Sequence, residues 1–253
     1  MQEIDFTKVI EVAKLAGHAI LEVYNKEDLG IELKADESPL TLADKRAHKV
    51  IVAGLEYTKL PVLSEEGKSI VFEERQKWNE FWMVDPVDGT KEFIKRNGEF
   101  TVNIALIRDG IPVFGVVYAP VLDKLYYGGK NMGAFMIHKD ELIELKKNKR
   151  TSETVRVVAS RSHLNEATQN FIDQFDQTDI VSMGSSLKFM LIAEGNADVY
   201  PRYAPTMEWD TAAAHAVLLS MGIDVIEPSS KMSLKYNKEN LLNPYFLVSQ
   251  LPL

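Results

Sequence analysis

Apolar side chains follow helical spacing in the first 55 residues of the chain. They recur on one broad face between residues 4 and 24, and again on one side of residues 41–55, after Ser38-Pro39. Positions three and four apart lie on the same side of an α-helix, and Ser and Pro are typical of helix starts. The pattern predicts two helices, over residues 4–24 and 41–55.

The middle of the chain is rich in β-branched, aromatic and alternating positions. These features are typical of strands, and Gly-containing pairs separate several of the runs. Asp109-Gly110 stands between two apolar runs and predicts a tight hairpin turn. The predicted strands span residues 60–64, 80–85, 100–108, 111–120 and 124–129.

Predicted strands and helices alternate after residue 150, which is typical of an α/β unit. The strands are expected at 155–160, 179–184 and 198–200, and the helices near 166–175, 186–194 and 211–221, with Gly222 as a helix cap. The lysine-rich stretch 146–154 is the best boundary candidate, although a solvated surface loop has the same composition. We therefore expect an α+β N-terminal subdomain over 1–150 and an α/β C-terminal subdomain over 151–253, within one catalytic unit.

Composition narrows the class of protein. The chain has 253 residues, 45% of them apolar, and a net charge of −8. An acidic chain is a poor general ligand for nucleic acid, so no nucleic-acid polymer is expected as a partner. Cysteine is absent, which excludes disulfides and thiolate chemistry and fits a cytoplasmic protein. No apolar run approaches the ~20 residues of a membrane span, and the N-terminus lacks the pattern of a signal peptide.

Acidic residues stand where predicted strands end. Glu65-Glu66 follows one strand, and Asp85-Pro86-Val87-Asp88-Gly89-Thr90 follows another. Each segment also reads as an ordinary polar turn. The second segment also offers a possible metal site, because Asp85, Asp88 and the Val87 carbonyl can converge as a set of hard oxygen ligands suited to Mg²⁺. The amides of Gly89 and Thr90 at the start of a short helix would then hold a phosphate oxygen.

A third acidic position begins the last predicted helix. Asp210, in Glu208-Trp209-Asp210-Thr211-Ala212-Ala213, is a preferred N-cap residue and also a suitable metal ligand. If Glu65, Asp85, Asp88 and Asp210 share one pocket, their charges repel and require divalent cations. The histidines lack the spacing of a zinc site, and only His163 is kept as a candidate; the others are His18, His48, His138 and His215.

These motifs together resemble the inositol monophosphatase superfamily of lithium-sensitive, magnesium-dependent phosphatases. The three motifs are Glu65-Glu66, the segment from Asp85 to Thr90, and Trp209-Asp210-Thr211-Ala212-Ala213. Further segments spread over nearly the whole chain resemble the branch of 3′(2′),5′-bisphosphate nucleotidases. Glu208, before the Trp-Asp pair, is a small departure at a variable position. The resemblance implies a layered αβαβα sugar-phosphatase fold, α+β in its N-terminal part and α/β in its C-terminal part.

The resemblance also implies an activity. The expected reaction is Mg²⁺-dependent hydrolysis of adenosine 3′,5′-bisphosphate to AMP and phosphate, and of 3′-phosphoadenylyl sulfate to adenylyl sulfate. The implied role is to clear by-products of sulfate assimilation in the cytoplasm, with loose attachment to the cytoplasmic face of the inner membrane left open. Such phosphoryl transfer depends on positioning and charge neutralisation, so no phospho-enzyme is expected.

Site roles carry over from the family by position. Glu65, Asp85 and the Val87 carbonyl correspond to a first metal site, and Asp85, Asp88 and Asp210 to a second. Glu65 also corresponds to a weaker third site, so two or three Mg²⁺ ions are expected. Asp44 pairs with Thr90 to orient and activate the attacking water, whereas without the resemblance Asp44 reads as an exposed helix charge. The implied catalytic set is Asp44, Thr90 and Glu65.

A bisphosphate substrate needs a second anion site beyond the metals. His163, Ser185, Lys188 and Arg202 occupy positions that hold the remaining 5′-phosphate in the related nucleotidases. The same residues otherwise read as caps and surface charges. Tyr203 and Pro205 are the only candidates for an adenine pocket. The remaining substrate contacts implied by the resemblance come from Glu65, Val87, Asp88, Gly89, Thr90 and Asp210.

Two other functions compete with the nucleotidase. One is a sugar phosphatase that acts on inositol monophosphate or fructose 1,6-bisphosphate, which the set of Ser185, Lys188 and Arg202 disfavours. The other is a catalytically silent, metal-dependent regulatory protein, which would not need the water-activating pair of Asp44 and Thr90. The oligomeric state and the preference between the two nucleotides are not predicted.

Overall fold

Two mixed β-sheets and seven α-helices form the part of the chain that the structure describes. The computed structural model describes residues 4–34, 39–147, 152–159 and 164–251. The helices are α1 (Phe6–Tyr24), α2 (Leu42–Leu55), α3 (Phe72–Arg75), α4 (Thr90–Ile94), α5 (Glu166–Ile172), α6 (Leu187–Ala193) and α7 (Glu208–Leu219), with a 3₁₀ turn at Glu56–Thr58. Within the described ranges no helix has the length and apolar character needed to cross a bilayer.

The larger sheet has seven strands, which pair in chain order from β3 to β9. β3 and β4 are parallel, and all the other neighbours are antiparallel. A separate ribbon joins β1 (Glu32–Leu33) and β2 (Pro39–Leu40). The strands of the larger sheet are β3 (Val62–Ser64), β4 (Glu80–Asp88), β5 (Thr101–Arg108), β6 (Ile111–Ala119), β7 (Lys124–Gly129), β8 (Gly133–His138) and β9 (Glu141–Leu145).

The smaller sheet has five strands in the order β11-β10-β12-β14-β13. β10 is parallel to β11 and β12, whereas β14 is antiparallel to β12 and β13. Its strands are β10 (Val155–Val158), β11 (Thr178–Val181), β12 (Val199–Arg202), β13 (Val225–Ile226) and β14 (Phe246–Ser249).

Helices cover both faces of the larger sheet, and the sequence of β4 reflects this. Phe81 and Met83 pack in the core that contains α6 and α7, whereas Trp82 and Val84 pack in the core that contains α1 and α2. A strand buried on both faces has a continuous apolar run rather than an alternating one. The smaller sheet packs against α6 on one face and α5 on the other. The predicted αβαβα layering is therefore confirmed.

α7 approaches the larger sheet closely at a glycine. A Cβ atom on Gly115 of β6 would lie 2.2 Å from the backbone oxygen of Ala213. Only glycine permits this contact without moving the helix. The close approach fixes the position of α7, which carries Asp210, against the sheet that carries Asp85 and Asp88.

Most predicted elements are found, with changes at their ends. The predicted hairpin is confirmed by positive φ angles of 52° at Asp109 and 72° at Gly110. The last long helix was wrongly predicted to begin at Thr211, because it begins at Glu208. Arg202 was expected to follow a strand but is the last residue of β12. The elements that were not predicted are β1, β2, β8, β9, β13, β14 and the short helix α3. The proposed subdomain boundary at residue 150 stays a prediction.

Candidate active site

The end of β4 forms a turn that places two carboxylates side by side. The Val87 N–H donates to Oδ1 of Asp85 over 3.0 Å, which closes a local turn around the Pro86 peptide. Gly89 then adopts φ +93°, and a Cβ atom there would lie 3.1 Å from Cβ of Ser185. The glycine thus allows the chain to reverse and start α4 at Thr90 beside the residues of another segment.

Three carboxylates meet at this turn. Asp85, Asp88 and Asp210 each offer an oxygen atom, and these oxygens all lie within 4.8 Å of one another. Asp85 is 1% exposed, whereas Asp88 and Asp210 are partly open to solvent. Two of the ligands come from the end of β4 and the third from the first turn of α7, so only the packing of the helix against the sheet completes the cluster.

Burial and mutual repulsion raise the pKa values of these groups. Burial, followed by the charges of Glu65 and Asp88, raises the pKa of Asp85 well above its usual range. Burial and the Asp88 charge raise the pKa of Asp210 to about 8. Neighbouring carboxylates resist ionisation because their charges repel, and a bound divalent cation stabilises their ionised forms by offsetting that repulsion. The cluster therefore has the electrostatics of a site for a hard cation.

Hydrogen bonds from α6 orient Asp88. The backbone N–H and the hydroxyl of Ser186 both lie 2.6 Å from Oδ2 of Asp88, and Nδ2 of Asn103 lies 3.4 Å from it. Asn103 also donates to Oγ of Ser186 over 2.8 Å. These bonds occupy one carboxylate oxygen and leave the other free for a ligand.

Asp210 is the third residue of α7 and not its N-cap. Its Oδ2 accepts a hydrogen bond of 2.7 Å from the backbone N–H of Met207. A carboxylate in the first helical turn satisfies a free N–H and interacts favourably with the helix dipole. The sequence predicted that Asp210 caps the helix, and it does so from the third helical position instead of the N-cap position. The second oxygen of Asp210 remains free for the cluster.

Glu65 lies next to this cluster and is paired with a lysine. Nζ of Lys34 lies 2.6 Å from Oε1 of Glu65 and 2.5 Å from Oε1 of Glu66. Although burial opposes the charged form, these two partners raise the pKa of Lys34. Glu65 still interacts with Asp85, because its charge contributes to the raised Asp85 pKa. Lys34 was not singled out in the sequence.

Asp44 is buried at the start of α2, contrary to its reading as an exposed helix charge. Its Oδ2 accepts hydrogen bonds from the backbone N–H and the hydroxyl of Thr41, over 2.7 and 2.5 Å. Its Oδ1 lies 3.4 Å from Oγ1 of Thr90, which lies 3.3 Å from the Val87 carbonyl. Thr41 therefore orients Asp44 towards the turn of β4, and Thr90 stands between Asp44 and a carbonyl of that turn.

A small cavity connects the carboxylates with a lysine. It has a volume of about 50 Å³, and its walls include Asp88, Asp210, Ser185 and Lys188. Burial lowers the pKa of Lys188, and the Asp88 charge opposes that shift. Ser185 adopts φ +46°, an unusual conformation for a non-glycine residue that is often found at functional sites. The cavity therefore places one cation beside two carboxylates of the cluster.

The other residues predicted to bind substrate are Arg202, Tyr203 and His163. Nη2 of Arg202 donates to the Pro205 carbonyl over 3.1 Å, and its Nε is buried without a hydrogen-bond partner among the described residues. Burial, with the Arg202 charge as a smaller contribution, lowers the pKa of Lys188. The ring of Tyr203 packs edge-on against the ring of Tyr245, with 5.8 Å between the ring centroids. His163 lies outside the described residues.

Several supporting residues were missed in the sequence, and one of them left a signal. Asn103 interrupts the apolar run of β5, and a polar residue within a buried strand indicates a hydrogen-bonded network. Ser186 was noted only as part of a helix start, yet it is the main partner of Asp88. Lys34 left no local signal, because its partners are remote in sequence.

The donor set fits Mg²⁺. Hard oxygen ligands from several carboxylates, with a backbone carbonyl nearby, match the preference of this ion, and the described residues include no cysteine or histidine in the cluster. The layered fold and this acidic site are those of the metal-dependent phosphatases that the sequence motifs resemble. The chain belongs to the inositol monophosphatase family, whose family model matches residues 2–250.

Comparison with known proteins narrows the family. The chain is 46% identical over 247 residues to the 3′(2′),5′-bisphosphate nucleotidase CysQ of Salmonella typhimurium, covering 96% of this chain and 98% of that protein. The crystal structure of CysQ from Bacteroides thetaiotaomicron is similar with a TM-score of 0.86 and 44% identity, covering 97% of each chain. An inositol monophosphatase/NADP phosphatase complexed with Mg²⁺ and phosphate shares the fold at 20% identity, with a TM-score of 0.76 over 94% of this chain and 87% of that one. The family resemblance seen in the sequence is confirmed.

Proposed function

We propose that this protein is a Mg²⁺-dependent 3′(2′),5′-bisphosphate nucleotidase. It would hydrolyse adenosine 3′,5′-bisphosphate to AMP and phosphate, and 3′-phosphoadenylyl sulfate to adenylyl sulfate. The similarity to CysQ proteins over nearly the full length of both chains supports the substrate class. The structural observation that carries the proposal is that Lys188 lines the same cavity as Asp88 and Asp210, since a cation beside the carboxylates could hold a second phosphate while ions held by the carboxylates neutralise the first.

The carboxylates would hold the ions, and the family pattern assigns them. Glu65, Asp85 and the Val87 carbonyl would form one Mg²⁺ site, and Asp85, Asp88 and Asp210 a second, with Glu65 open to a third ion. Mg²⁺ in such sites activates water and neutralises charge that develops on the transferred phosphoryl group and the leaving oxygen. Because Lys34 occupies one oxygen of Glu65, it would have to shift or share that residue when an ion binds there.

Asp44 and Thr90 would prepare the attacking water. The Thr90 hydroxyl donates to Asp44, so its oxygen lone pairs are available to accept a hydrogen bond from water. Water oriented in this way would attack phosphorus and pass a proton through the Thr90 hydroxyl to Asp44, while the bond to the 3′-oxygen breaks and the 3′-oxygen takes a proton from solvent. Burial raises the pKa of Asp44, which makes its carboxylate a better proton acceptor. The Gly89 and Thr90 amides would contact the phosphoryl oxygens.

We assign binding of the 5′-phosphate to the cations Lys188 and Arg202. Lys188 lines the cavity, and Arg202 has a buried Nε available for an acceptor. Ser185 and His163 complete the proposed set, with Tyr203 and Pro205 as the candidates for contact with adenine. The proposed setting is nucleotide recycling in sulfate assimilation, in the cytoplasm and with peripheral membrane attachment left open; it rests on the similarity to CysQ.

The first test is a comparison of substrates. Phosphate release from adenosine 3′,5′-bisphosphate with Mg²⁺ should exceed release from inositol 1-phosphate and fructose 1,6-bisphosphate by about 100-fold in kcat/KM, or about 2.7 kcal/mol. The physical reason is that Lys188 and Arg202 would bind the second phosphate, which inositol 1-phosphate lacks and which fructose 1,6-bisphosphate carries on a different scaffold. Equal or reversed rates would contradict the nucleotidase and favour a sugar phosphatase, and background rates with every substrate would favour a silent binding protein.

Lithium provides an independent test of the metal chemistry. We expect Li⁺ at about millimolar concentration or below to inhibit phosphate release, because a small hard cation competes for the same carboxylate oxygens. Rates are measured at fixed Mg²⁺ with LiCl, and NaCl at the same ionic strength serves as the control. Equal rates in the two salts would count against the proposed site.

A further inference from the structure

Buried polar side chains form a connected path from the surface to the first turn of α7. His215 and Tyr236 are both buried, and Nδ1 of His215 lies 2.9 Å from the Tyr236 hydroxyl. Nε2 of His215 lies 2.8 Å from Oδ1 of Asp224, whose side chain is 41% exposed. The Tyr236 hydroxyl lies 3.3 Å from Oγ1 of Thr211, the residue that follows Asp210. None of these four side chains has a role in the reaction described above.

The charges along this path determine which groups donate. The Asp224 carboxylate only accepts, so Nε2 of His215 carries the hydrogen and donates to it. Nδ1 of the neutral ring is then an acceptor, and the Tyr236 hydroxyl donates to it. Burial lowers the pKa of His215, which favours the neutral ring, although Asp224 opposes that shift. The Tyr236 oxygen is left with lone pairs facing the Thr211 hydroxyl.

Thr211 links this path to the active site. It is fully buried and lines the same cavity as Asp88 and Asp210. Nδ2 of Asn243 donates to Oγ1 of Thr211 over 3.1 Å and to the Met207 carbonyl over 2.8 Å. Asn243, which lies outside α7, therefore holds the Met207 carbonyl before Asp210 and the Thr211 side chain after it.

The first turn of α7 needs support of this kind. Asp210 faces Asp85 and Asp88 across less than 4.8 Å, so repulsion among the carboxylates favours movement of Asp210 away from the cluster. The first turn of a helix is also its least constrained part, because its N–H groups have no partners within the helix. A contact that fixes Thr211 resists this movement at the adjacent residue.

We propose that Tyr236 and His215 are positioning residues, which hold the first turn of α7 and with it the Asp210 carboxylate in the geometry that binds divalent cations. His215 orients the Tyr236 hydroxyl, and Tyr236 holds Thr211. The inference rests on the proposed function, since it takes Asp210 as a metal ligand. Residues that orient metal ligands change metal affinity by about 10- to 100-fold when they are replaced.

Tyr236→Phe tests the proposal, with Tyr126→Phe as the matched control. Tyr126 is also buried, and its hydroxyl donates to the Glu194 carboxylate on another part of the molecule. Mg²⁺ binding to the purified full chain is measured by titration calorimetry. We expect Tyr236→Phe to weaken Mg²⁺ binding about tenfold, and Tyr126→Phe to change it by less than about twofold. Thermal midpoints of both variants show how much stability each hydroxyl contributes.

Activity at varied Mg²⁺ separates positioning from a purely structural role. Tyr236→Phe should lose turnover at limiting Mg²⁺ and recover most of it at excess Mg²⁺, with the KM for adenosine 3′,5′-bisphosphate unchanged. Mg²⁺ binding by Tyr236→Phe that matches Tyr126→Phe would overturn the inference. If Tyr236→Phe does not fold, Thr211→Val removes the other hydroxyl of the same contact and is measured in the same way.

One further variant distinguishes this inference from the proposed function. Asp210→Asn should lose Mg²⁺ binding at the second proposed site if Asp210 is a ligand. Mg²⁺ binding at the wild-type level in Asp210→Asn would refute the proposed metal site. Loss of binding in Asp210→Asn together with normal binding in Tyr236→Phe would refute only the positioning role.

Discussion

Asp85→Asn is expected to abolish phosphate release while the chain stays folded. The change removes the charge that both proposed ion sites share, so turnover should fall at least about a thousandfold, or about 4 kcal/mol in the transition state. The amide keeps the oxygen that accepts the 3.0 Å hydrogen bond from the Val87 N–H, so the turn after β4 should persist. Phosphate release and circular dichroism are the measurements.

The same variant should be more stable than the wild type when no metal is present. Burial and neighbouring charges raise the pKa of Asp85, and the pKa of Asp210 reaches about 8. A carboxyl group whose pKa is raised on folding contributes stability that is present below its unfolded value and is lost as pH rises through the folded value. The metal-free wild type should therefore lose stability between about pH 4 and pH 8. At pH 8 in EDTA, Asp85→Asn should melt at least about 2 °C higher.

Asp109→Asn is the matched control for this experiment. It makes the same chemical change in the hairpin between β5 and β6, where φ is +52° and asparagine is well tolerated. Its turnover and its pH-dependent melting should match those of the wild type. Turnover of Asp85→Asn within about tenfold of the wild type would refute the assigned role of Asp85, since loss of a shared metal ligand costs far more.

Lys188→Ala should remove most of the preference for a bisphosphate. Lys188 lines the cavity next to Asp88 and Asp210, and among the described residues of that wall it is the only cation. We expect kcat/KM for adenosine 3′,5′-bisphosphate to fall about 100-fold, or about 2.7 kcal/mol, because a charge-assisted contact with a phosphate is lost. Turnover of inositol 1-phosphate, which lacks that phosphate, should change little.

Lys130→Ala is the control for the loss of one positive charge. Lys130 is exposed in the turn between β7 and β8, away from the cavity. Lys130→Ala should leave kcat/KM unchanged for both substrates. Equal losses for the two substrates in Lys188→Ala would contradict a second phosphate site, and would instead indicate that Lys188 acts through the Asp88 carboxylate, whose pKa it lowers.

Local chemistry accounts for what the sequence predicted well. The run Phe81-Trp82-Met83-Val84 is apolar on both sides, which predicts a strand covered on both faces. Asp109-Gly110 defines a hairpin because both residues tolerate positive φ. The family motifs indicated the metal-dependent phosphatase, and the comparison with known proteins confirmed the family.

Short edge strands and helix ends were predicted less well. β9 has the sequence Glu-Leu-Ile-Glu-Leu, whose apolar residues do not alternate, and most of its side chains are exposed although it pairs fully with β8. α7 begins three residues before the predicted start, because Asp210 acts at the third helical position instead of as the N-cap. In β9 the hydrogen bonds to β8 outweigh the local residue preference, and in α7 the hydrogen bond from the Met207 N–H does so.

The sequence by itself determined the class of chemistry. The acidic residues, the glycine at the turn after β4 and the absence of cysteine restrict the site to hard-oxygen ligands. Only the tertiary structure decided how those groups are arranged and supported. Asp210 reaches Asp85 and Asp88 because Gly115 lets α7 pack closely against β6. Lys34, Asn103, Ser186 and Tyr236 join the site through contacts between segments far apart in the chain, and such contacts leave no spacing that a sequence pattern can reveal.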